Sequence, residues 1–430
     1  MGIETKINIK NRLAILGGKP TLEKLNSYKS ISKSEVNEVN KVLKSGKISC
    51  FYGSWEDGFL GGEKIQELEL MWSKKFEVNY SISVNSNTSG LYAAIGAIGV
   101  SPGDEVLVPS TSMSATAMAP LIYGAIPIFV DIDQDTFCMN IDDVKKKITK
   151  KTKAILTVNL FGHPAKLKEL KALAKQNNIF LIEDNAQGPL ATENGKFAGT
   201  VGDIGIFSLN YHKHIHSGEG GICVTNDKNL AQRMQMIRNH AEAVVGPSKT
   251  NDLTNMIGFN FRMTEISAAI AIQQLKKIDQ HVNKRVDIAE SLSSNLNDLP
   301  GIDVPKVRGG CKHVYYVWAI KYDKNKIGIS RKKFAEALNA QGFPCSEAYL
   351  SPLYNLPVFK NKIAFGKDGY PFNLSKKELY RDKCEIAEKL HHEQFIFFEP
   401  CAYEINEKKN KLLIDAFRKV YENVHCLNEC

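Results

Sequence analysis

The chain has 430 residues, of which 43% are hydrophobic and 24% charged, as expected for a globular protein with a sizeable core. Its net charge of +9 is scattered, and no basic stripe with interleaved aromatic residues suggests nucleic-acid binding. Two prolines and a glycine interrupt the most apolar stretch, residues 115–131, so membrane insertion is not expected. Nine cysteines without a CxxC pair and the lack of a secretory signal favour the cytoplasm.

Short β-rich runs alternate with helical patterns between residues 80 and 230. Leu167, Leu170 and Leu173 repeat at helical spacing and predict a helix over residues 165–178. Alternating strands and helices predict an α/β fold of three layers, with a mostly parallel sheet between helices. The predicted strands are residues 81–86, 105–110, 126–133, 153–162, 179–184, 204–210 and 220–227.

The second half of the chain changes pattern. Residues 263–296 have the periodicity of one long helix, which a Pro-Gly pair ends. A β-rich stretch at 314–323 and helical patterns at 330–342 and 409–424 follow, so we expect a smaller, carboxyl-terminal α+β domain. The predicted boundaries are an amino-terminal arm (1–25), a large domain (26–285) and a small domain (286–430).

Polar residues stand at the ends of two predicted strands, where open α/β sheets bind ligands. Asp184 ends one strand, and its carboxylate could pair with a protonated ring nitrogen of a cofactor or cap the next turn. Ser86, Asn87 and Thr88 lead from another strand into a helix. The free N–H groups of that helix could bind phosphate, or the three residues could form an ordinary N-cap.

The stretch NYHKHIHSGEGG, residues 210–221, contains three alternating histidines. In an extended segment His212, His214 and His216 would share one face and could bind a metal, with Lys213 on the opposite face. Lys213 could instead be a nucleophilic amine that forms a Schiff base, or it could face solvent. Because no second ligand cluster is evident in the sequence, no metal site is predicted.

Three motifs together resemble the DegT/DnrJ/StrS family of pyridoxal-phosphate-dependent sugar aminotransferases. They are EDNAQG (183–188), GDIGIFSLNYHKHIHSGEGGICVTND (202–227) and GFNFRMTEISAAIAIQQL (258–275). The resemblance implies an aspartate-aminotransferase-like fold and a homodimer with shared active sites. It implies that a keto or aldehyde sugar receives the amino group of glutamate or glutamine, in the biosynthesis of lipopolysaccharide or a related cell-surface polysaccharide.

The resemblance also implies roles for single residues. Lys213 matches the lysine that bonds to the cofactor and then carries a proton between cofactor and substrate. Asp184 matches the partner of the pyridinium nitrogen, and Gln187 matches the residue beside the ring oxygen. The expected phosphate contacts are Ser86, Asn87, Thr88 and Ser208, with Asn260 from the other subunit.

Some positions depart from the family pattern and concern the substrate. Ser112–Met113 stands where an aromatic residue usually stacks on the cofactor, so we expect the Met113 thioether to pack there. The acceptor stays open between a nucleotide-linked hexose, a keto-deoxy sugar acid and an aminocyclitol precursor. Candidate contacts for an anionic substrate are His216, His240 and Arg262, followed by Arg238 and Lys249; surface ion pairing would also explain them.

Other activities remain alternatives. Some family members are sugar dehydratases, and in their best-known branch a histidine replaces the lysine. Lys213 therefore favours transamination, although His212 and His214 keep the dehydratase open. A metal-dependent hydrolase built on the three histidines and a cofactor-binding regulator without turnover belong to different classes.

Overall fold

A computed structural model of the chain describes residues 12–349, 351–375, 379–380 and 383–427. The strands are β1 (Tyr80–Val84), β2 (Glu105–Pro109), β3 (Ile126–Val130), β4 (Thr152–Val158), β5 (Phe180–Asp184), β6 (Thr192–Glu193), β7 (Lys196–Phe197), β8 (Ile204–Ser208), β9 (Gly221–Thr225), β10 (Ile302–Asp303), β11 (Cys311–Lys312), β12 (Trp318–Tyr322), β13 (Ser346–Glu347) and β14 (Phe395–Phe398). The helices are α1 (Lys33–Ser45), α2 (Glu63–Phe76), α3 (Asn87–Ala97), α4 (Ala115–Ile122), α5 (Ile141–Lys147), α6 (Leu167–Gln176), α7 (Lys228–Arg238), α8 (Ala241–Val244), α9 (Glu265–Leu275), α10 (Ile278–Leu296), α11 (Lys324–Ile327), α12 (Arg331–Gln341), α13 (Pro357–Lys360), α14 (Glu385–Lys389) and α15 (Glu407–Glu422).

A seven-stranded sheet forms the larger part of the molecule, in the order β1-β9-β8-β5-β4-β2-β3. Strand β9 runs antiparallel to its neighbours β1 and β8, and all other neighbours are parallel. Every residue of β2, β8 and β9 is buried, which shows that both faces of the sheet are covered. The predicted mostly parallel α/β sheet is confirmed.

A second hydrophobic core lies in the carboxyl-terminal part, around Trp318, Phe334 and Phe417. It surrounds an antiparallel sheet in the order β10-β12-β14-β13, so this part has the predicted α+β character. Leu13 and Leu22 of the predicted arm are buried in the same core. Residues 1–11 of that arm lie outside the described residues, and the domain boundaries stay predictions.

The helical run predicted over residues 263–296 is two helices, so the expectation of one helix was wrong. Helix α9 ends at Leu275 and α10 begins at Ile278. Lys277, with φ −107° and ψ 1°, leaves helical geometry between them, while its ammonium group pairs with buried Glu35 at 2.6 Å. Neither glycine nor proline lies at this break. The break coincides instead with the tertiary ion pair between Lys277 and Glu35, which periodicity along the sequence does not reveal.

The described residues contain no disulfide, and eight cysteines carry free thiols. Within the same residues, no helix combines the length and the apolar character that crossing a lipid bilayer requires.

Candidate active site

A cavity of about 220 Å³ opens at the carboxyl ends of the parallel strands. Val158 ends β4, Asp184 ends β5 and Ser208 ends β8, and all three line the cavity. This edge of an open α/β sheet is where ligands bind, because the loops that leave successive strands converge there. The start of α3 and two tyrosines of the carboxyl-terminal part, Tyr316 and Tyr349, complete the wall.

Asp184 is buried at the base of the cavity and is held by donors from three directions. The Thr116 hydroxyl donates to its Oδ2 at 3.1 Å, Asn87 Nδ2 donates to Oδ1 at 3.3 Å, and the Ala186 N–H donates to Oδ1 at 3.2 Å. Burial raises the pKa of Asp184, while these donors and the charge of Lys213 oppose the rise. A carboxylate in this position is stabilised when a cation comes to lie beside it.

The amino terminus of α3 forms a second wall of the cavity. Ser86 caps the helix, accepting a hydrogen bond from the Ser89 N–H at 3.0 Å, while Asn87 and Thr88 line the cavity in the first turn. Gly221 of β9 brings its backbone against this turn, since a Cβ there would lie 2.7 Å from the Ser86 carbonyl carbon. The N-cap is therefore present, and the phosphate-binding role of this helix end stays a prediction that the positive end of the helix dipole favours.

Lys213 lies in a turn between β8 and β9 and lines the cavity. Its Nζ lies 4.2 Å from the ring centroid of Tyr316. Burial lowers the pKa of Lys213 to about 8, although Asp184, Cys401 and Glu399 favour the charged form. The side chain is therefore a solvent-shielded amine that can change protonation state near neutral pH, as a nucleophile or proton carrier requires.

Residues 212–216 are not a strand, so the shared face that an extended segment would give the three histidines does not form. The segment is a turn, in which His212 lines the cavity. His214 is buried and its Nε2 lies 2.8 Å from the Val314 carbonyl oxygen, while His216 Nε2 lies 2.7 Å from Ser30 Oγ. No group of three or more His, Cys, Asp or Glu side chains in the described ranges could hold a metal ion.

Gln187 and Ser208 line the cavity but already have intramolecular partners. Gln187 Oε1 accepts the Phe161 N–H at 2.6 Å, and its Nε2 donates to the Tyr349 hydroxyl at 3.4 Å. Ser208 Oγ accepts the Asn210 N–H at 3.2 Å. These contacts fix the two side chains before any ligand binds.

Met113 lines the cavity and is 58% exposed.

Of the substrate candidates, His240 is partly exposed and its Nδ1 lies 3.6 Å from Glu242 Oε1, whereas Lys249 is exposed. Arg238 is fully buried, pairs with Glu69 at 2.7 Å and is not among the residues that line the cavity.

The remaining candidates lie elsewhere on the surface. Asn260 is exposed, and its Oδ1 accepts a hydrogen bond from Arg262 Nε at 2.8 Å. Asn260, Arg262, His216 and His240 are not part of the cavity wall that the described residues form. Their assignment to the site stays a prediction.

Three residues of the site were not predicted from the sequence. Thr116 holds Asp184 from α4, and Tyr316 and Tyr349 close the cavity from positions more than 100 residues beyond Lys213 in the chain. Their contribution depends on the folded arrangement, which brings them to the site from separate parts of the chain. The hydroxyl-rich run SMSAT, residues 112–116, was the one local hint for Thr116.

The residues of the cavity fit pyridoxal phosphate. Asp184 is a buried carboxylate suited to a protonated ring nitrogen, and Lys213 is an amine suited to an aldehyde. The amino terminus of α3, with Ser86, Asn87 and Thr88, is suited to the phosphate group.

Comparison with known proteins gives the same result. A family model described as the DegT/DnrJ/EryC1/StrS aminotransferase family matches residues 29–373. GDP-perosamine synthase of Escherichia coli O157:H7 is 38% identical over 333 residues, which are 77% of this chain and 86% of that protein. The solved aminotransferase from Psychrobacter cryohalolentis has a TM-score of 0.80 and 25% identity, covering 93% of this chain and 100% of its own.

A second solved structure, GDP-4-keto-6-deoxymannose-3-dehydratase with a trapped PLP-glutamate geminal diamine, has a TM-score of 0.76 and 27% identity. It covers 92% of this chain and 100% of its own. The predicted fold, cofactor and reaction class are confirmed by these likenesses. The chain belongs to the DegT/DnrJ/EryC1/StrS aminotransferase family and is a pyridoxal-phosphate-dependent sugar aminotransferase.

Proposed function

We propose that this enzyme transfers the amino group of glutamate to the keto carbon of a GDP-linked 4-keto-6-deoxy sugar. The observation that carries the proposal is Lys213, a shielded amine in the same cavity as Asp184, in a chain 38% identical to a GDP-perosamine synthase. A nucleotide-linked acceptor is favoured over a free sugar acid or an aminocyclitol by that relative. The product is an amino sugar for a cell-surface polysaccharide.

The residues of the cavity divide the work. Bound pyridoxal phosphate supplies an electron sink for the carbon atom that gives up or receives the amino group. Asp184 would keep the ring nitrogen protonated, and the amino terminus of α3 would hold the phosphate. Lys213 Nζ would bond to the cofactor at rest and, once released, take a proton from the donor carbon and return it to the acceptor carbon.

We also propose that the protein is a cytoplasmic homodimer whose partner subunit completes the site. Arg262 Nε donates a hydrogen bond to Asn260 Oδ1 at 2.8 Å, and neither residue lines the cavity of its own chain. In a dimer this pair would reach the phosphate of the neighbouring cavity. Sedimentation of the purified protein as a monomer at working concentration would contradict this part.

The substrate proposal is tested with ¹⁵N-labelled glutamate and GDP-4-keto-6-deoxymannose, with the nucleotide sugar analysed by mass spectrometry. We expect a GDP-linked amino sugar that carries the label, and no product from the Lys213→Ala variant. A GDP sugar that has lost a hydroxyl group without gaining nitrogen would instead identify a dehydratase. A keto-deoxy sugar acid and an aminocyclitol precursor serve as parallel acceptors, and labelling of one of these alone would refute the GDP-linked substrate.

A further inference from the structure

The amine of Lys213 rests on an aromatic ring rather than on a carboxylate. Its Nζ lies 4.2 Å from the centroid of the Tyr316 ring, which is only 4% exposed. Within the described residues, Asp184, Cys401 and Glu399 act on Lys213 through their charges alone, without a hydrogen bond to its amine. At this distance the negative face of an aromatic ring attracts an ammonium group, and more strongly where water is excluded.

Tyr316 is held in place by its surroundings. It lies just before β12 of the carboxyl-terminal sheet. The rings of His212 and His214 lie 6.1 Å and 6.2 Å from the Tyr316 ring. The tyrosine therefore belongs to the second half of the chain, yet two histidines of the turn that carries Lys213 lie beside its ring.

Other ionisable groups influence the pKa of the same amine. Asp184 at the end of β5, and Glu399 and Cys401 in the segment after β14, favour the ammonium form. Burial raises the pKa of Tyr316 far above its usual range, so its hydroxyl group stays neutral and cannot take the proton. Burial lowers the pKa of His214 to about 3, so that imidazole is neutral too.

We propose that Tyr316 is a positioning residue whose ring face holds the ammonium form of Lys213 whenever that amine is not bonded to the cofactor. The inference rests on the proposed function in taking Lys213 as the cofactor lysine. A ring face differs from a carboxylate because it attracts the cation without accepting its proton. The ring would keep the amine within the cavity while it can still gain and lose a proton.

The test is a titration of Lys213 in the full chain freed of cofactor. A brief pulse of acetic anhydride at a series of pH values, followed by peptide mass spectrometry, gives the pH at which Lys213 becomes reactive. Exposed Lys249 in the same samples is the internal control. Thermal unfolding of each variant checks that it is folded.

Three replacements separate the ring from the hydroxyl group and from bulk. Tyr316→Phe keeps the ring face, and we expect the Lys213 midpoint to stay where it is. Tyr316→Leu removes the ring, and we expect the midpoint to fall by about 0.5 to 1 pH unit, because the ammonium form loses its cation–π contact. A trifluorinated phenylalanine at position 316 keeps the shape but weakens the negative face, so it should also lower the midpoint.

A midpoint that is unchanged or higher in the fluorinated protein would overturn the proposal, and so would a fall in Tyr316→Phe as large as that in Tyr316→Leu. The fluorinated ring preserves packing, so the test holds even if the leucine variant does not fold. The titration needs no bound cofactor. Failure of the labelled-glutamate experiment would therefore refute the proposed function, whereas an unmoved midpoint would refute only the role of Tyr316.

Discussion

Thr116 donates its hydroxyl hydrogen to Oδ2 of Asp184 at 3.1 Å, and this bond ties α4 to the end of β5. Asn87 of α3 donates to the other oxygen at 3.3 Å. Two helices and a strand thus fix the direction of one carboxylate before the cofactor binds. Such preorganisation matters because a carboxylate that is already oriented need not rearrange when charge appears beside it.

Replacing Thr116 with valine keeps the shape but removes the donor to Asp184. Loss of a hydrogen bond to a charged group costs about 1.5–3 kcal/mol, so we expect pyridoxal phosphate to bind roughly tenfold more weakly or worse. Fluorescence titration of the cofactor-free protein measures the dissociation constant. Thr157→Val is the matched control, because this equally buried hydroxyl has no hydrogen-bond partner among the described residues. Equal affinities of the two variants would contradict a role for Thr116.

Gly221→Ala should disturb the phosphate end of the cavity. The new Cβ would lie 2.7 Å from the Ser86 carbonyl carbon, and a backbone atom cannot turn away as a side chain can. We expect a loss of about 1–3 kcal/mol in stability and weaker binding of pyridoxal phosphate. Affinity for pyridoxal, which lacks the phosphate, should change less. Gly246→Ala is the control, because no atom lies within 4 Å of the added Cβ. If Gly221→Ala weakens the binding of pyridoxal phosphate and of pyridoxal equally, this helix end is not a phosphate site.

The Glu183→Gln substitution should lower the free energy of unfolding, although Glu183 does not line the cavity. The buried carboxylate accepts N–H groups of Gly199 at 2.6 Å, Val201 at 2.8 Å and Gly202 at 2.6 Å. An amide must point its NH₂ group at some of these donors, which costs about 1–3 kcal/mol. Urea unfolding measures the loss, and exposed Glu169→Gln should stay within about 0.5 kcal/mol. If Glu183→Gln leaves the free energy of unfolding unchanged, the segment that contains Gly199, Val201 and Gly202 does not depend on the carboxylate.

Stability should fall in acid partly because of His214. Burial lowers its pKa from 6.5 to about 3 in the folded protein. Between these values the unfolded chain binds a proton that the folded chain does not, so stability falls as pH falls from 6.5 towards 3, by about 1.4 kcal/mol per pH unit for a single group. In His214→Gln the free energy of unfolding should change less between pH 7 and pH 5. Identical slopes for variant and parent would contradict this assignment.

The parts of the site that are predictable from the sequence belong to short, continuous motifs. Asp184 ends a buried strand and Lys213 precedes a glycine-rich turn, so local patterns make both residues candidates, and the resemblance of their motifs to the family gives their roles. Tyr316 and Tyr349 could not be found in this way, because their neighbours at the site are distant in the chain and no local pattern links them to it. Thr116 was missed because its partner, Asp184, lies on another element.

The two places where the structure differs from the sequence pattern, the histidine run and the helical run over residues 263–296, have equally local causes. The three histidines alternate as they would in a strand, but hydrogen bonds to Val314 and Ser30 direct two of them elsewhere within a turn. The break between α9 and α10 has no glycine or proline, and it coincides with the pairing of Lys277 with Glu35. Periodicity reports which face of an element is apolar, and it is insensitive to such contacts.

The most direct test of the central claim is to identify the amine that bonds to the cofactor. The purified protein is reconstituted with pyridoxal phosphate, reduced with borohydride and mapped by peptide mass spectrometry. We predict a phosphopyridoxyl group on Lys213 alone, and none at that site in Lys213→Ala. Attachment to another lysine in the native protein, or no attachment at all, would contradict the account.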